Sequence, residues 1–328
     1  MRPFSQGAQV SCRGYSRAVQ RALVDFGADE SFAGAAEKMR EHYGLQVPVS
    51  ASRRWTQAHG RRMAEQEQVQ RLRQLGPEPG RELLITELDG SQIPIVETKP
   101  EAKDRRQQKR LHWREARLCL ARAPESIAPR FGASVGEAEE AGAVWLDCVK
   151  RAGGGALTHL HCVADGAAWI AEQAAQRFGG QAKFLLDFYH VSEYLAGAAE
   201  VIAGAAAAPW LRRQQERLKE NRVAAVLAEL LVHIEPPEVV EAEARVRVCH
   251  RYLTNHREQL DYRHALAADL PIGSGEIESG HRYVVQARLK VAGAWWKIDN
   301  AADMLALRVT RANSQWESYW QQLRQAVS

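Results

Sequence analysis

The stretch "ELLITELDGSQIPIVET", residues 82–98, decides how the chain is read. The period changes here from that of helices to that of strands. The pattern predicts a strand over 83–89, a tight turn at the Asp-Gly pair and a second strand over 93–97. Just before it lies "QLGPEPGRE" (74–82), a Pro/Gly-rich linker and the best domain boundary in the sequence. Downstream, "HWREARLCLA" predicts a third strand around 114–121. The segment "SVGEAEEAGAVWLDCVKRAGGG" is a helix ended by glycines. "ALTHLHCVADGAAWIAEQAAQRFG" is a fourth strand running into a helix, and "AKFLLDFYH" is a fifth strand. Three strands, helix, strand, helix, strand is the order of an α/β, ribonuclease-H-like core, whose first and fourth strands are neighbours.

The remaining segments frame that core. Residues 1–73 read as a small helical region. One amphipathic helix covers about 16–26, a second starts at Ser31 and stops at Gly44, and a third starts at Ser50. The order resembles a helix-turn-helix DNA reader, with Arg53, Arg54 and Gln57 on its last helix. The core's first part spans 83–190. Residues 191–270, broken at Pro209 and at Pro236-Pro237, form an all-helical insertion, and 271–328 return to the core as helices.

Composition narrows the class. With 328 residues, 45% hydrophobic and 26% charged, the chain is globular. Its five cysteines (Cys12, Cys119, Cys148, Cys162, Cys249) form no C-x-x-C pair, which predicts reduced thiols, no structural zinc and a cytoplasmic protein. No signal peptide is legible, and "VIAGAAAAPWL" is too short to span a membrane. The net charge of +4 is unevenly spread: residues 101–117 hold seven Lys/Arg against three Asp/Glu, and 51–74 hold six against two. Such blocks suit a polyanion. They make Arg105, Arg106, Lys109 and Arg110 candidate DNA contacts beside Arg53, Arg54 and Gln57.

Three acids occupy corresponding places in this layout. Asp89 ends the first strand, Asp165 ends the fourth, and Glu278 opens the helix after the insertion. Each has an ordinary use: Asp89-Gly90 as a turn, Asp165 as a helix cap, Glu278 as an acid favouring a helix start. Together at one edge of a sheet they would repel one another and raise their pKa values unless divalent cations bound them. Hard oxygen ligands suit Mg²⁺, and a pair of such ions serves phosphoryl transfer.

The motifs "LDGSQIPI", "HWREARL", "VADGAAWI", "LLDFYHVSEYL" and "PIGSGEIESGHRYVVQARLKVAGAWW" resemble the transposases of Kra-type bacterial insertion sequences, DDE enzymes similar to Mutator-like transposases. The resemblance runs from about residue 10 to the C-terminus. It implies a DDE triad carried by Asp89, Asp165 and Glu278, two Mg²⁺ ions (with Mn²⁺ as a substitute) and an N-terminal DNA-reading region. Asp187 also ends a strand and competes for the second place; with His190 it resembles the Asp-x-x-His signature of Mutator-like enzymes. Glu276 competes with Glu278, and the Gly-Ser-Gly-x-x-Glu pattern selects Glu278. Arg282, Arg288, Lys290 and Lys297 are candidate phosphate contacts, and Tyr283, Trp295 and Trp296 candidate stacking surfaces. At least one of these tryptophans is expected in a packed core edge.

The function expected is metal-dependent cleavage of double-stranded DNA at the ends of a mobile element. Strand transfer into target DNA would follow, in a homodimer or larger synaptic complex. The rival readings are a ribonuclease-H-like nuclease that only hydrolyses, a helix-turn-helix repressor, and an inactive transposase relative that binds DNA.

Overall fold

The computed structural model of the chain describes residues 14–72, 79–98 and 109–325. Cys12, Arg105, Arg106 and the first part of the 74–82 linker lie outside them. The described residues open with three helices: α1 (Arg17–Asp29), α2 (Phe32–Tyr43) and α3 (Val49–Leu72). Ser16 and Ser31 cap the first two through their hydroxyls, and Gly44 ends α2 in the left-handed conformation (φ 65°) that glycine adopts without strain.

Five strands then form one mixed sheet: β1 (Leu83–Thr98), β2 (Lys109–Arg122), β3 (Arg130–Ser134), β4 (His159–Ala164) and β5 (Ala182–Leu186), in the order β3-β2-β1-β4-β5. The β1–β2 and β2–β3 pairs are antiparallel, whereas β1–β4 and β4–β5 are parallel. Helices α4 (Ala138–Arg151) and α5 (Ala168–Phe178) connect β3 to β4 and β4 to β5. The chain is thus mixed α/β, with strands one and four side by side as the sequence predicts.

The first three strands are divided differently from the expectation. No turn occurs at Asp89-Gly90: β1 runs straight through, pairing Asp89 with Leu118 and Gly90 with Arg117. The Glu115 side chain lies over Gly90, where a Cβ would be 2.1 Å from its Oε1 and would have to push it aside. The segment 93–97 is the outer half of β1, 114–121 falls inside β2, and the short "RFGAS" of β3 carries no readable strand period. Beyond Glu87 the β4 side of β1 is open, which tolerates Pro94 without a ladder N–H. Trp296 takes up that edge: Val96 N donates to Trp296 O (2.7 Å) and Trp296 N to Pro94 O (3.1 Å).

The sheet's two faces are covered separately. Leu84 and Leu88 pack with Trp145, Val149, Ile170 and Phe178 of α4 and α5. Trp145 Nε1 donates to Thr86 Oγ1 (2.6 Å), so this buried indole is satisfied. Ile93, Ile95, Leu118 and Leu120 pack against the C-terminal helices through Ile277, Val284, Leu289, Met304 and Leu305.

Between β5 and those helices comes a helical unit: α6 (Phe188–Ala203), α7 (Ala207–Lys219), α8 (Val223–Leu231), α9 (Arg245–Asn255) and α10 (Tyr262–Ala267). Its core continues that of the sheet through Val163, Leu185 and Leu186. The stretch Phe188–Lys219 is long and apolar enough, by length and composition, to cross a membrane. Reading "VIAGAAAAPWL" alone overlooked this, because the largely apolar stretch begins upstream of it at Phe188. Phe188, Val191, Leu195, Trp210 and Leu218 from this stretch are buried in the unit's own core.

The last elements are α11 (Gly275–Gly280), a π-helical turn (His281–Gln286), a final turn Ala287–Leu289, then α12 (Ile298–Ala312) and α13 (Trp316–Gln325). The N-terminal helices pack on these. Helix α3 crosses α12 where Gly60 has no Cβ to strike Asp303 O. Val24, Ala28, Met63, Leu307, Tyr319, Trp320 and Leu323 share one cluster.

At the centre of this contact His59 is buried, with Nδ1 2.6 Å from Tyr319 Oη and Nε2 3.2 Å from Gln20 Oε1. Burial, then Arg62 and Arg17, push its pKa from 6.5 down to about 4. Above pH 6.5 the ring is neutral both folded and unfolded. As pH falls, the unfolded chain takes the proton first, so stability declines from about 6.5 and levels off near 4. The loss is on the order of 3 kcal/mol. Urea denaturation of wild type and His59→Gln between pH 7.5 and 4 is expected to give a shallower acid decline in the variant.

Candidate active site

The β1–β4 ladder sets the site. It pairs Leu83 with His159 and continues in register to Glu87 with Val163, a constant offset of 76 positions (159 − 83 = 76). Asp89 and Asp165 have the same offset (165 − 89 = 76), so they stand at one level just past the end of the ladder. Side chains alternate along a strand, and Asp89 therefore shares the face of Glu87, as Asp165 follows the parity of Val163. That face is covered by α11, which carries Glu278.

Asp89 is held by Gly90 N, which donates to its Oδ1 (2.7 Å). Its pKa is raised to about 6 by burial and, with the Gly90 bond opposing, by the charges of Asp165, Glu115 and Glu278. The three expected acids are thus in electrostatic contact. Asp165 is half-buried and accepts from Ala167 N through Oδ1 (3.0 Å). It does not cap α5 as the plain reading supposed: Ala167 holds the cap position, without a side-chain bond. Glu278 is exposed and has no partner among the described residues.

The two competing acids are engaged elsewhere. Arg122 Nε donates to both carboxylate oxygens of Glu276 (2.7 and 3.0 Å). Asp187 is buried and caps α6: its Oδ1 accepts from Tyr189 N (2.6 Å) and His190 N (2.9 Å), while Oδ2 accepts from both Ser274 N (2.6 Å) and Ser274 Oγ. Four donors saturate it. It fastens the start of α6 to the Gly-Ser-Gly loop that leads into α11. His190 faces Tyr194 and Tyr252 edge-on and lies 3.6 Å from Glu193.

Several residues at the site were not singled out from sequence. Glu87 is buried, accepts from Ile277 N (2.7 Å), and has its pKa raised to about 8, mainly by burial. It ties the first turn of α11 to β1. Its signal was its place two residues before Asp89 on an alternating strand. His281 is buried with Nε2 3.4 Å from Asp89 Oδ2, and neither ring nitrogen has a hydrogen-bond partner among the described residues. Burial lowers its pKa to about 4, with the backbone of Asp89 opposing, so it is neutral at pH 7. Its spacing of three from Glu278 put it within one helical turn. From α9, Tyr252 and His256 pack so closely on Gly166 that a Cβ there would lie 2.5 Å from Tyr252 Oη. Tyr252 stacks on Tyr194 at 4.0 Å. Burial, then Tyr194 and Asp165, raise the Tyr252 pKa.

The nominated cations fall into two groups. Arg53, Gln57, Lys109 and Arg288 line one cavity together with Trp295 and Lys297. Arg54 (beside the Trp55 ring), Arg110, Arg282 and Lys290 are exposed and do not line it. Arg288 is buried, not a surface contact. Its Nε donates to Gly27 O (3.0 Å) and its guanidinium packs beside the Phe32 and Trp296 rings (4.7 and 4.8 Å). Trp296 is buried and Trp295 exposed, which divides core edge from surface as expected. Tyr283 is partly exposed and packs edge-on against Phe131.

In kind, the acids fit a hard divalent cation: three carboxylates, one of them unpaired, with the other two charges felt at Asp89. In placement they are not gathered. Among the described residues no three His, Cys, Asp or Glu side chains are close enough together to hold a metal ion as they stand. Ligation would require these side chains to draw closer together.

No protein-family model matches the chain, and no curated protein matches it in sequence. Among solved structures, the Drosophila P element transposase strand transfer complex superposes with a TM-score of 0.35 and 9% identity, over 97% of this chain and 83% of that one. A superposition that loose does not establish a shared fold.

Removing the Asp187 carboxylate leaves four donors without their acceptor. Asp187→Ala is expected to cost about 3 kcal/mol of unfolding free energy in urea denaturation. Asp187→Asn should cost less, because its amide oxygen still accepts from one pair of donors.

Proposed function

We propose that this chain is a DDE-type DNA transposase, built on a ribonuclease-H-like sheet, that cleaves element ends and joins them to target DNA. The observation that carries this reading is the common level of Asp89 and Asp165 on two parallel neighbouring strands, with the charge of Glu278 felt at Asp89. The 3-2-1-4-5 strand order and the two crossover helices support it. The resemblance of the sequence motifs to Kra-type transposases is a second, independent support.

On this reading Asp89, Asp165 and Glu278 would hold Mg²⁺, or Mn²⁺ in its place. Such an ion, when bound, polarises a phosphoryl oxygen and makes water or a 3′-hydroxyl a better nucleophile. The protein's own part is arrangement. Glu87, protonated at neutral pH, accepts from Ile277 N and fixes α11 over β1 without adding negative charge. Neutral His281 fills the space beside Asp89 without cancelling its charge. Arg122 occupies Glu276 and so leaves Glu278 as the free acid of the α11 first turn. Positive side chains then receive the DNA backbone, whose binding is set by phosphate contacts.

A strand-transfer assay with Mg²⁺ and duplexes carrying the element ends tests the proposal. Wild type is expected to give both cleaved and joined products. Asp165→Asn and Glu278→Gln should each take cleavage below detection while end binding stays within about threefold. Glu276→Gln and Asp187→Asn should keep the chemistry. Cleavage without joining would make the chain a nuclease. Full activity in Asp165→Asn, with Asp187→Asn dead, would assign the second acid to Asp187.

A further inference from the structure

A second feature sits away from the acids, at the seam between the N-terminal helices and the C-terminal part of the core. The cavity there has a volume of about 510 Å³. Four cations from three distant segments line it: Arg53 of α3, Lys109 at the start of β2, Arg288, and Lys297 before α12. Among the described residues no Asp or Glu lines it. Arg53, Lys109 and Lys297 are exposed and form no ion pair among the described residues.

Arg288 gives the wall a fixed charge. Its Nε is used by Gly27 O, the Phe32 and Trp296 rings pack beside its guanidinium, and its Nη2 has no acceptor among the described residues. A buried guanidinium with an unused donor is costly unless an anion answers it. The amides of Gln57 and Asn300 add polar lining. At the rim Trp295 is 41% exposed and leans on Trp113, itself exposed, at 6.3 Å. A pair of open indoles beside unpaired cations suits a ligand with both phosphate and a flat aromatic ring.

We infer that this cavity is a binding site for the nucleic-acid phosphodiester backbone, with Trp295 as the stacking face for an adjoining base. The inference deepens the transposase reading and rests on DNA being its substrate. Spacing favours a polymer over a free nucleotide. Val96 lines the cavity and lies on β1 seven residues beyond Asp89. That is about 23 Å at strand rise, or about seven base steps of duplex. One DNA molecule can therefore touch the acids and this cavity together. Base–aromatic stacking and phosphate neutralisation supply the two parts of the affinity.

The test is oligonucleotide binding by fluorescence anisotropy without divalent cations, across a salt series. Arg53→Ala/Lys297→Ala changes only exposed side chains, and circular dichroism melting checks its fold. The double variant is expected to bind duplex about tenfold more weakly and to lower the slope of log K against log salt by about two, one for each phosphate contact. Trp295→Ala should weaken single-stranded binding about tenfold. Unchanged affinity and slope in the double variant would overturn the inference. So would loss of inorganic phosphate or nucleoside diphosphate binding with oligonucleotide binding intact, since the cavity would then serve free anions. Because no metal is present, the result is separate from catalysis. Lost slope without any cleavage activity would leave this site standing and remove the transposase reading. Cleavage with an unaltered slope would do the reverse.

Discussion

Parallel pairing of β1 with β4 is the constraint on which the candidate site depends. A parallel ladder fixes an offset between two distant segments, and here that offset brings two aspartates to one level. Neither residue is placed by its own neighbours. A slip of one residue would send one side chain to the opposite face of the sheet. Leu84 and Leu88 resist such a slip because they are buried against α4 and α5, while Glu87 and Asp89 turn to the other side.

The third acid depends on a different kind of fastening. Helix α11 is too short to hold its own orientation, so its direction is imposed from outside. Glu87 bonds its backbone from the sheet, Arg122 grips Glu276, and Asp187 clasps Ser274 just before it. Three buried or half-buried carboxylates are thereby spent on geometry around the one left free. The raised pKa values of Glu87 and Asp89 record first the burial of these carboxyl groups and only then the neighbouring acids.

Much of this was legible in the sequence, and the failures have physical reasons. Helix limits followed caps: Ser16, Ser31 and Gly44 lie where the chain starts and stops helices. The adjacency of strands one and four followed from element order. The Asp-Gly pair misled because turn propensity is local, whereas β1 is kept extended by pairing with β2 over its whole length. Strand β3 was missed because five residues containing a glycine carry no period. At the site, sequence could nominate Asp187 and Glu276 alongside the others, since residue type and position do not reveal occupied lone pairs. Only contacts separate a saturated carboxylate from a free one. Glu87, His281 and Tyr252 were missed for the same reason: each matters through a neighbour far away in the chain. The nominated cations of α3, β2 and the 288–297 segment were read separately. That four residues from these stretches face one cavity is a product of the packing of α3 on α12.

The docking of Trp296 along the outer half of β1 has a bearing on assembly. An uncovered strand edge is a template on which another polypeptide can add a strand. Here Trp296 supplies one such contact itself, giving and receiving a backbone bond at Pro94 and Val96. The bridging segment therefore works as a plug, and Pro94 removes a donor from the same edge. A further strand cannot pair with β1 at Pro94–Val96 unless Trp296 is first displaced.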